Sequence, residues 1–247
     1  MLKRLEGIVI KSQDYGETHK IVTVFTKEYG KVAAISRGAN KPKSRLRAIS
    51  QPFVHADFLI YISKGLSTIQ QGQIVHSFRQ IREDIVKTAY AAFILELTDK
   101  VVADKESESF LYNELFHTLR WIDEHDSYMV PLFMYELKLL QRAGIAPVVT
   151  HCANCQTTQY PFVFSIREGG LLCDRCRHLD EHAFMIEDNV ARILAILLNV
   201  SLERVGTISV KPKNIHMLRT IFDHYYDTYG GYTLKSRKFL EQLNLLE

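Results

Sequence analysis

The feature that most limits what this chain can fold into is a change in the spacing of its apolar residues. Up to residue 76 they alternate or gather in short β-branched and aromatic runs, whereas from Phe78 onward they recur every three or four positions. A period of two buries one face of a strand and a period near 3.6 buries one stripe of a helix, so the two halves call for different architectures. A β module followed by an α module is therefore expected.

Strands are expected at 5–11, 19–26, 31–37, 53–63 and 66–76, punctuated by Asp14-Tyr15-Gly16, Tyr29-Gly30 and Lys64-Gly65. In the fourth, Val54, Ala56, Phe58, Ile60 and Ile62 share one face, while Phe53, His55, Asp57, Leu59 and Tyr61 share a second, mixed face that is expected to be partly exposed. Five short strands with a longer interruption between the third and fourth match an oligonucleotide-binding (OB) barrel, and an SH3-like barrel gives a similar count. The run Phe78, Ile81, Ile85, Ala89, Phe93, Leu97 and Val101 predicts one long amphipathic helix, with further helices over 111–122, 129–143, 186–197, 215–229 and around Lys238 to Leu245. The expected fold is α+β and multidomain: a five-stranded OB-type barrel over residues 1–79, then a mainly α-helical domain over 80–247 with an inserted four-cysteine zinc knuckle at 150–178.

That knuckle is read from Cys152-x2-Cys155, seventeen residues, and Cys173-x2-Cys176. Thiolates two residues apart can turn onto one ion, and a hairpin over 160–170 can bring the second pair back to the first. Four thiolates close a tetrahedral Zn2+ site with no open position for water, so the single zinc is structural and not catalytic. Buried free thiols or a redox dithiol are the alternatives. His151, beside Cys152, is a substitute ligand or a surface residue. Four cysteines within 25 positions do not make a secreted disulfide scaffold.

The 247 residues carry a net charge of +3, unevenly distributed. Residues 1–80 hold 13 Lys/Arg against 5 Asp/Glu, and residues 81–150 hold 7 against 12. A basic first third suggests an anionic partner, most often nucleic acid, although a solvated face has the same charge. The densest cations lie between the third and fourth strands, in Arg37-Gly38-Ala39-Asn40-Lys41-Pro42-Lys43-Ser44-Arg45-Leu46-Arg47. If this run is extended, Lys41, Lys43, Arg45 and Arg47 fall on one side, about 6.6 Å apart, as a row suited to a phosphate backbone. The alternative is a mobile loop with no ligand. Phe53 and Tyr61 are candidates to stack unpaired bases, or else they pack in the core.

A phosphate-cradling Gly-x4-Gly-Lys-Ser/Thr, a His-Glu-x2-His, a Gly-x-Ser-x-Gly and a Gly-x-Gly-x2-Gly are all absent from the sequence. A binding protein independent of ATP is thus expected ahead of an enzyme. An opening without an apolar signal core and the lack of long apolar runs lead us to expect a cytoplasmic protein with no membrane contact.

Several segments together resemble the bacterial RecO family of recombination mediators: Gly7-Ile-Val-Ile, Asp14-Tyr-Gly-Glu-Thr-His-Lys-Ile-Val-Thr-Val-Phe-Thr26, Arg37 through Arg45 leading to Gln51-Pro-Phe53, Leu139-Leu-Gln-Arg-Ala-Gly-Ile-Ala-Pro147, the cysteine pairs, and Leu234-Lys-Ser-Arg-Lys-Phe-Leu240. The resemblance implies an OB domain, a helical domain and, in many members, a zinc knuckle. It also implies DNA repair by recombination: binding single- and double-stranded DNA, annealing strands coated with single-strand-binding protein (SSB), and, with RecR, helping RecA to load. Carried onto this sequence, DNA binding falls on Lys41, Lys43, Arg45 and Arg47, with Arg37 and Lys11 added. The acidic, apolar tail of SSB is expected on the helical domain, with Lys138 and Arg142 as its candidate contacts. One departure is Gln156, which follows Cys155 where a Gly is common. An RNA-binding or transcription-associated zinc-ribbon protein, and a nucleic-acid enzyme with an acidic site, are the rival readings.

Overall fold

The computed structural model describes residues 1–204 and 210–244. Strands β1 (Leu2–Tyr15), β2 (His19–Thr26), β3 (Gly30–Ser36), β4 (His55–Tyr61) and β5 (Ser67–His76) close a barrel in the order β1-β2-β3-β5-β4. The parallel pairing between barrel strands, Ala34 with Ser67 and Ile35 with Thr68 between β3 and β5, gives the barrel its OB-type strand order. Closure depends on β1 serving two partners. Leu2 through Ile8 pair with β4, Gly7 through Tyr15 pair with β2, and a register shift between Val9 and Lys11 bends the strand from one to the other. The expected inward face of β4 is buried at Val54, Ala56, Phe58 and Ile60, which pack with Val9, Val22, Val24, Val32 and Ile69.

The segment between β3 and β4 departs from the extended row expected of it. It folds as successive turns, with Lys41 N donating to Gly38 O, Ser44 N to Lys41 O and Arg47 N to Ser44 O, and it ends in a short helix α1 (Leu46–Ile49). Turns satisfy backbone groups that no neighbouring strand is present to pair. Ile49 enters the barrel core at 2% exposure and anchors the end of the segment.

The single long helix expected from Phe78 is two: α2 (Arg79–Glu83) and α3 (Ile85–Val101). Asp84 is extended (φ −116°, ψ 122°), and its carboxylate accepts from the N–H groups of Val86 and Lys87, so it caps a new helix rather than continuing the old one. α3 and α4 (Ser109–Glu124) belong to one compact unit with the barrel, comprising residues up to Asp126 together with the C-terminal segment from Leu234. Tyr112 of α4 meets Phe25 edge-on at 5.7 Å and donates to Glu6, while Phe116 lies 4.8 Å from the His55 ring. The α3–α4 connection crosses the β2–β3 turn: Lys105 N donates to Lys31 O, and Gly30 (φ 70°) lies so close that a Cβ there would sit 2.0 Å from Glu106 O.

The second compact unit, Ser127–Thr233, holds α5 (Met129–Arg142), a sheet of β6 (Phe162–Ser165), β7 (Gly170–Cys173) and β8 (Phe184–Met185) in the order β7-β6-β8, then α6 (Asp188–Asn199) and α7 (Pro212–Tyr229). α5 ends as its sequence indicates, at Gly144 with φ 76°. Phe133 of α5 packs its ring, tilted by 33°, against Phe222 of α7 at 4.8 Å between centroids, and beside them Arg219 bonds Glu136 at 3.0 Å. Helix α8 (Lys235–Asn244) covers most of the last expected helix, whose Leu245 lies outside the described residues. Among the described residues no helix is long and apolar enough to cross a membrane.

Candidate nucleic-acid interface and metal centre

The basic segment is built from two fixed ends. At its start Gly38 N donates to His19 Nδ1 at 2.8 Å, Asn40 N to Thr18 O at 3.0 Å, and Asn40 Nδ2 to Asp14 Oδ1 at 2.8 Å. These bonds tie it to the end of the β1–β2 hairpin. At its close Ile49 is in the core and Ser50 Oγ bonds Ser36 Oγ at 2.8 Å. Between them Lys41, Lys43, Arg45 and Arg47 are exposed, as is Arg37 just ahead. None of these five cations pairs with a carboxylate among the described residues, whereas elsewhere in the barrel Lys20 pairs with Asp14, and Lys31 with Asp99 and Asp104.

The remaining sequence-derived residues separate. Lys11 is exposed, but its Nζ lies 3.5 Å from Asp99. Tyr61 is exposed at the end of β4, opposite Leu2 and Thr68. Phe53 is not a stacking platform: it precedes β4 with φ 69°, is 8% exposed, and donates its N–H to Val9 O. The strand period that put it on the outer face does not extend that far. Lys138 is likewise withdrawn from any acidic ligand, because it is 3% exposed and its Nζ donates to Val200 O at 2.8 Å and Leu197 O at 3.4 Å, neutralising the C-terminal end of α6. Arg142 is exposed at the end of α5. Sequence reasoning missed the anchoring residues Asp14, Thr18, His19 and Asn40. Asp14 faces Lys20 across the hairpin, a pairing that the turn at Tyr15-Gly16 makes readable in retrospect.

The four cysteines converge, their Sγ atoms all within 4.8 Å of one another and Cys155 to Cys173 at 3.6 Å. They are therefore placed to hold one metal ion. The β6–β7 hairpin performs the return, and Val148, bonded to Gly169 and Leu171, sets the preceding strand of chain beside it. Backbone donors face the sulfurs. Burial drives the Cys152 thiol up, but N–H groups of Cys155, Cys173 and Asn154 outweigh it and hold the pKa at about 6, favouring the ligating thiolate. Asn154 Nδ2 donates to Cys176 Sγ at 3.3 Å as an outer support. Gln156 takes the left-handed conformation (φ 62°) that a Gly would adopt there, and donates its N–H to Cys152 O, so the turn forms with a side chain in place. His151 bonds Thr150 and stands outside the cluster.

Comparison with known proteins covers both halves of the chain. The family model described as "Recombination protein O N terminal" matches residues 1–78, and "Recombination protein O C terminal" matches residues 82–238. A DNA repair protein RecO of Oceanobacillus iheyensis is 49% identical over 244 residues, covering 99% of this chain and 95% of that protein. Proteins of the same name from Halalkalibacterium halodurans and Bacillus mycoides are 43% and 45% identical, over 98% and 99% of this chain and 96% and 98% of theirs.

Proposed function

As this chain belongs to the RecO family of recombination proteins, we propose that it is a DNA repair and recombination mediator that binds single- and double-stranded DNA through the basic segment of its barrel. In this reading it anneals complementary strands coated with SSB without ATP and, with RecR, helps to load RecA, working in the cytoplasm at the nucleoid as a binding protein and not an enzyme. The observation that carries the reading is the set of five exposed cations at 37–47 that have no carboxylate partner among the described residues. Annealing brings two polyanions together, and a surface that neutralises several phosphates lowers their repulsion and releases counterions with no bond chemistry. Arg37, Lys41, Lys43, Arg45 and Arg47 make the phosphate contacts. Lys11, shared with Asp99, is secondary, and Tyr61 offers a ring to unpaired bases. The family boundary between residues 78 and 82 supports reading 1–79 as the nucleic-acid module and 80–247 as the helical one. On the latter, of the two candidate contacts for the acidic tail of SSB, Lys138 is buried and Arg142 exposed, so the contact falls on Arg142.

The four thiolates hold one structural Zn2+ in this reading. A tetrahedral Zn–S distance of about 2.3 Å sets sulfurs roughly 3.8 Å apart, near the 3.6 Å between Cys155 and Cys173. The test of function is annealing of SSB-coated complementary oligonucleotides with no ATP added. Lys43→Glu, Arg45→Glu and Arg47→Glu combined should abolish annealing while the melting temperature stays unchanged. A folded triple variant that anneals normally would refute the reading.

A further inference from the structure

An anion beside a DNA-binding surface should by Coulomb's law weaken it. Asp14 stands in that place, 70% exposed at the end of the β1–β2 hairpin. Yet its Oδ1 accepts from both Asn40 Nδ2 and Lys20 Nζ, each at 2.8 Å. The Asn40 contact lies within a three-residue docking site in which Gly38 N–H reaches His19 Nδ1, Ala39 is fully buried and Asn40 N–H reaches Thr18 O. From there to Ile49 in the barrel core the basic segment is held mainly by its own local turns. The start of the segment is thus fixed by the hairpin, and Asp14 is its side-chain clamp.

We propose that Asp14 is a positioning residue for DNA binding: despite its charge it strengthens affinity, by clamping Asn40 and so holding the cations at 37–47 in one arrangement before DNA arrives. The inference rests on the reading of that segment as the phosphate-binding surface. Its physical basis is preorganisation, since a segment already ordered does not lose that freedom on binding. Lys20 neutralises the carboxylate locally, which limits the repulsion Asp14 would otherwise exert. The same two partners hold the Asp14 carboxyl below its ordinary pKa, the Lys20 bond first and the Asn40 bond second, so the clamp persists into mildly acid solution.

The test measures binding of the full-length protein to a fluorescein-labelled oligo-dT across a salt series. Asp14→Ala should bind about fivefold more weakly, the order of cost of immobilising one long side chain, and its salt slope should become shallower by about one phosphate. Asp14→Asn keeps the oxygen acceptor without the charge and should bind at least as tightly as wild type. Asn40→Ala should reproduce the Asp14→Ala loss with no change in charge, and the double variant should be no worse than either single one. Tighter or unchanged binding by Asp14→Ala, or additive losses in the double variant, would overturn the proposal. The charge-reversed variant at Lys43, Arg45 and Arg47 is measured alongside. If it binds like wild type, the DNA-binding reading itself falls; if it fails to bind while Asp14→Ala is normal, only the clamp falls. Matching melting temperatures and unchanged amide exchange in the barrel strands separate loss of the clamp from loss of the fold.

Discussion

Replacing Arg219 by Ala should cost about 3 kcal/mol, because it withdraws a guanidinium bonded to Glu136 at 3.0 Å and Asp223 at 2.7 Å inside the second unit. Urea unfolding measures the loss, and Arg219→Lys should recover only part of it, since an ammonium cannot fork to two carboxylates. Nothing in the sequence announces this pair: Asp223 is one helical turn away, but Glu136 is 83 positions distant. The same limit applies to Lys138. Its place beside an apolar helical stripe suggests a surface cation, and the carbonyls it neutralises belong to a helix about 60 residues later. Phe53 fails for a different reason. Alternation is a property of paired backbone, and a left-handed residue two positions before β4 begins breaks the pattern on which its outward assignment rested. By contrast, the convergence of the four cysteines was legible because their spacing alone restricts where four sulfurs can meet.

Elements were legible where one apolar period ran unbroken, and misread where a polar residue interrupted it without disturbing the count. Phe78, Ile81 and Ile85 continue a helical stripe, but Asp84 breaks the helix by capping α3. Asp84→Ala should therefore destabilise the barrel-containing unit by about 1 kcal/mol, with the loss appearing as faster amide exchange at Val86 and Lys87. A second cap has a pH signature. Glu96 of α3 accepts from Lys235 N, Ser236 N and Ser236 Oγ at the start of α8. Burial pushes its carboxyl up, but the bonds from Ser236 and Lys235 outweigh burial, and the pKa lies below the ordinary value. The stabilisation is thus present above the ordinary glutamate range and disappears as pH falls through the lowered pKa. Glu96→Gln should be less stable than wild type by about 1 kcal/mol at pH 7, and the difference should close in acid. A gap that stays constant down to pH 3 would count against the cap.

At the scale of the whole chain, the OB-type barrel was readable from five strand signals and one long interruption. The extent of its compact unit was not. Residues 80–126 pack with the barrel through contacts that have no period, such as Lys105 on Lys31 and Gly30 against Glu106. Gly30→Ala should accordingly destabilise the barrel, by about 2 kcal/mol or more, because it adds both a strained φ and a clash with backbone. The four cysteines fall in the second unit and the basic segment proposed to bind DNA in the first. β6 and β7 are four residues each, too short to hold together without support, so ion binding at the thiolates should supply folding energy for that region. If the proposed zinc is bound, elemental analysis should find one per chain, lost on Cys173→Ser or on stripping with a chelator, and the amides of 162–173 should then become open to exchange. Its loss should also free the α7 hydroxyls of Tyr225 and Tyr229, which bond Ile145 and Ile166. The only tryptophan, Trp121, lies in α4 of the barrel-containing unit, so its emission reports on that unit. That emission and its unfolding midpoint, together with oligo-dT affinity, should stay at wild-type values while the ribbon opens. Loss of DNA affinity in step with zinc would instead place the thiolate site in the DNA-binding function.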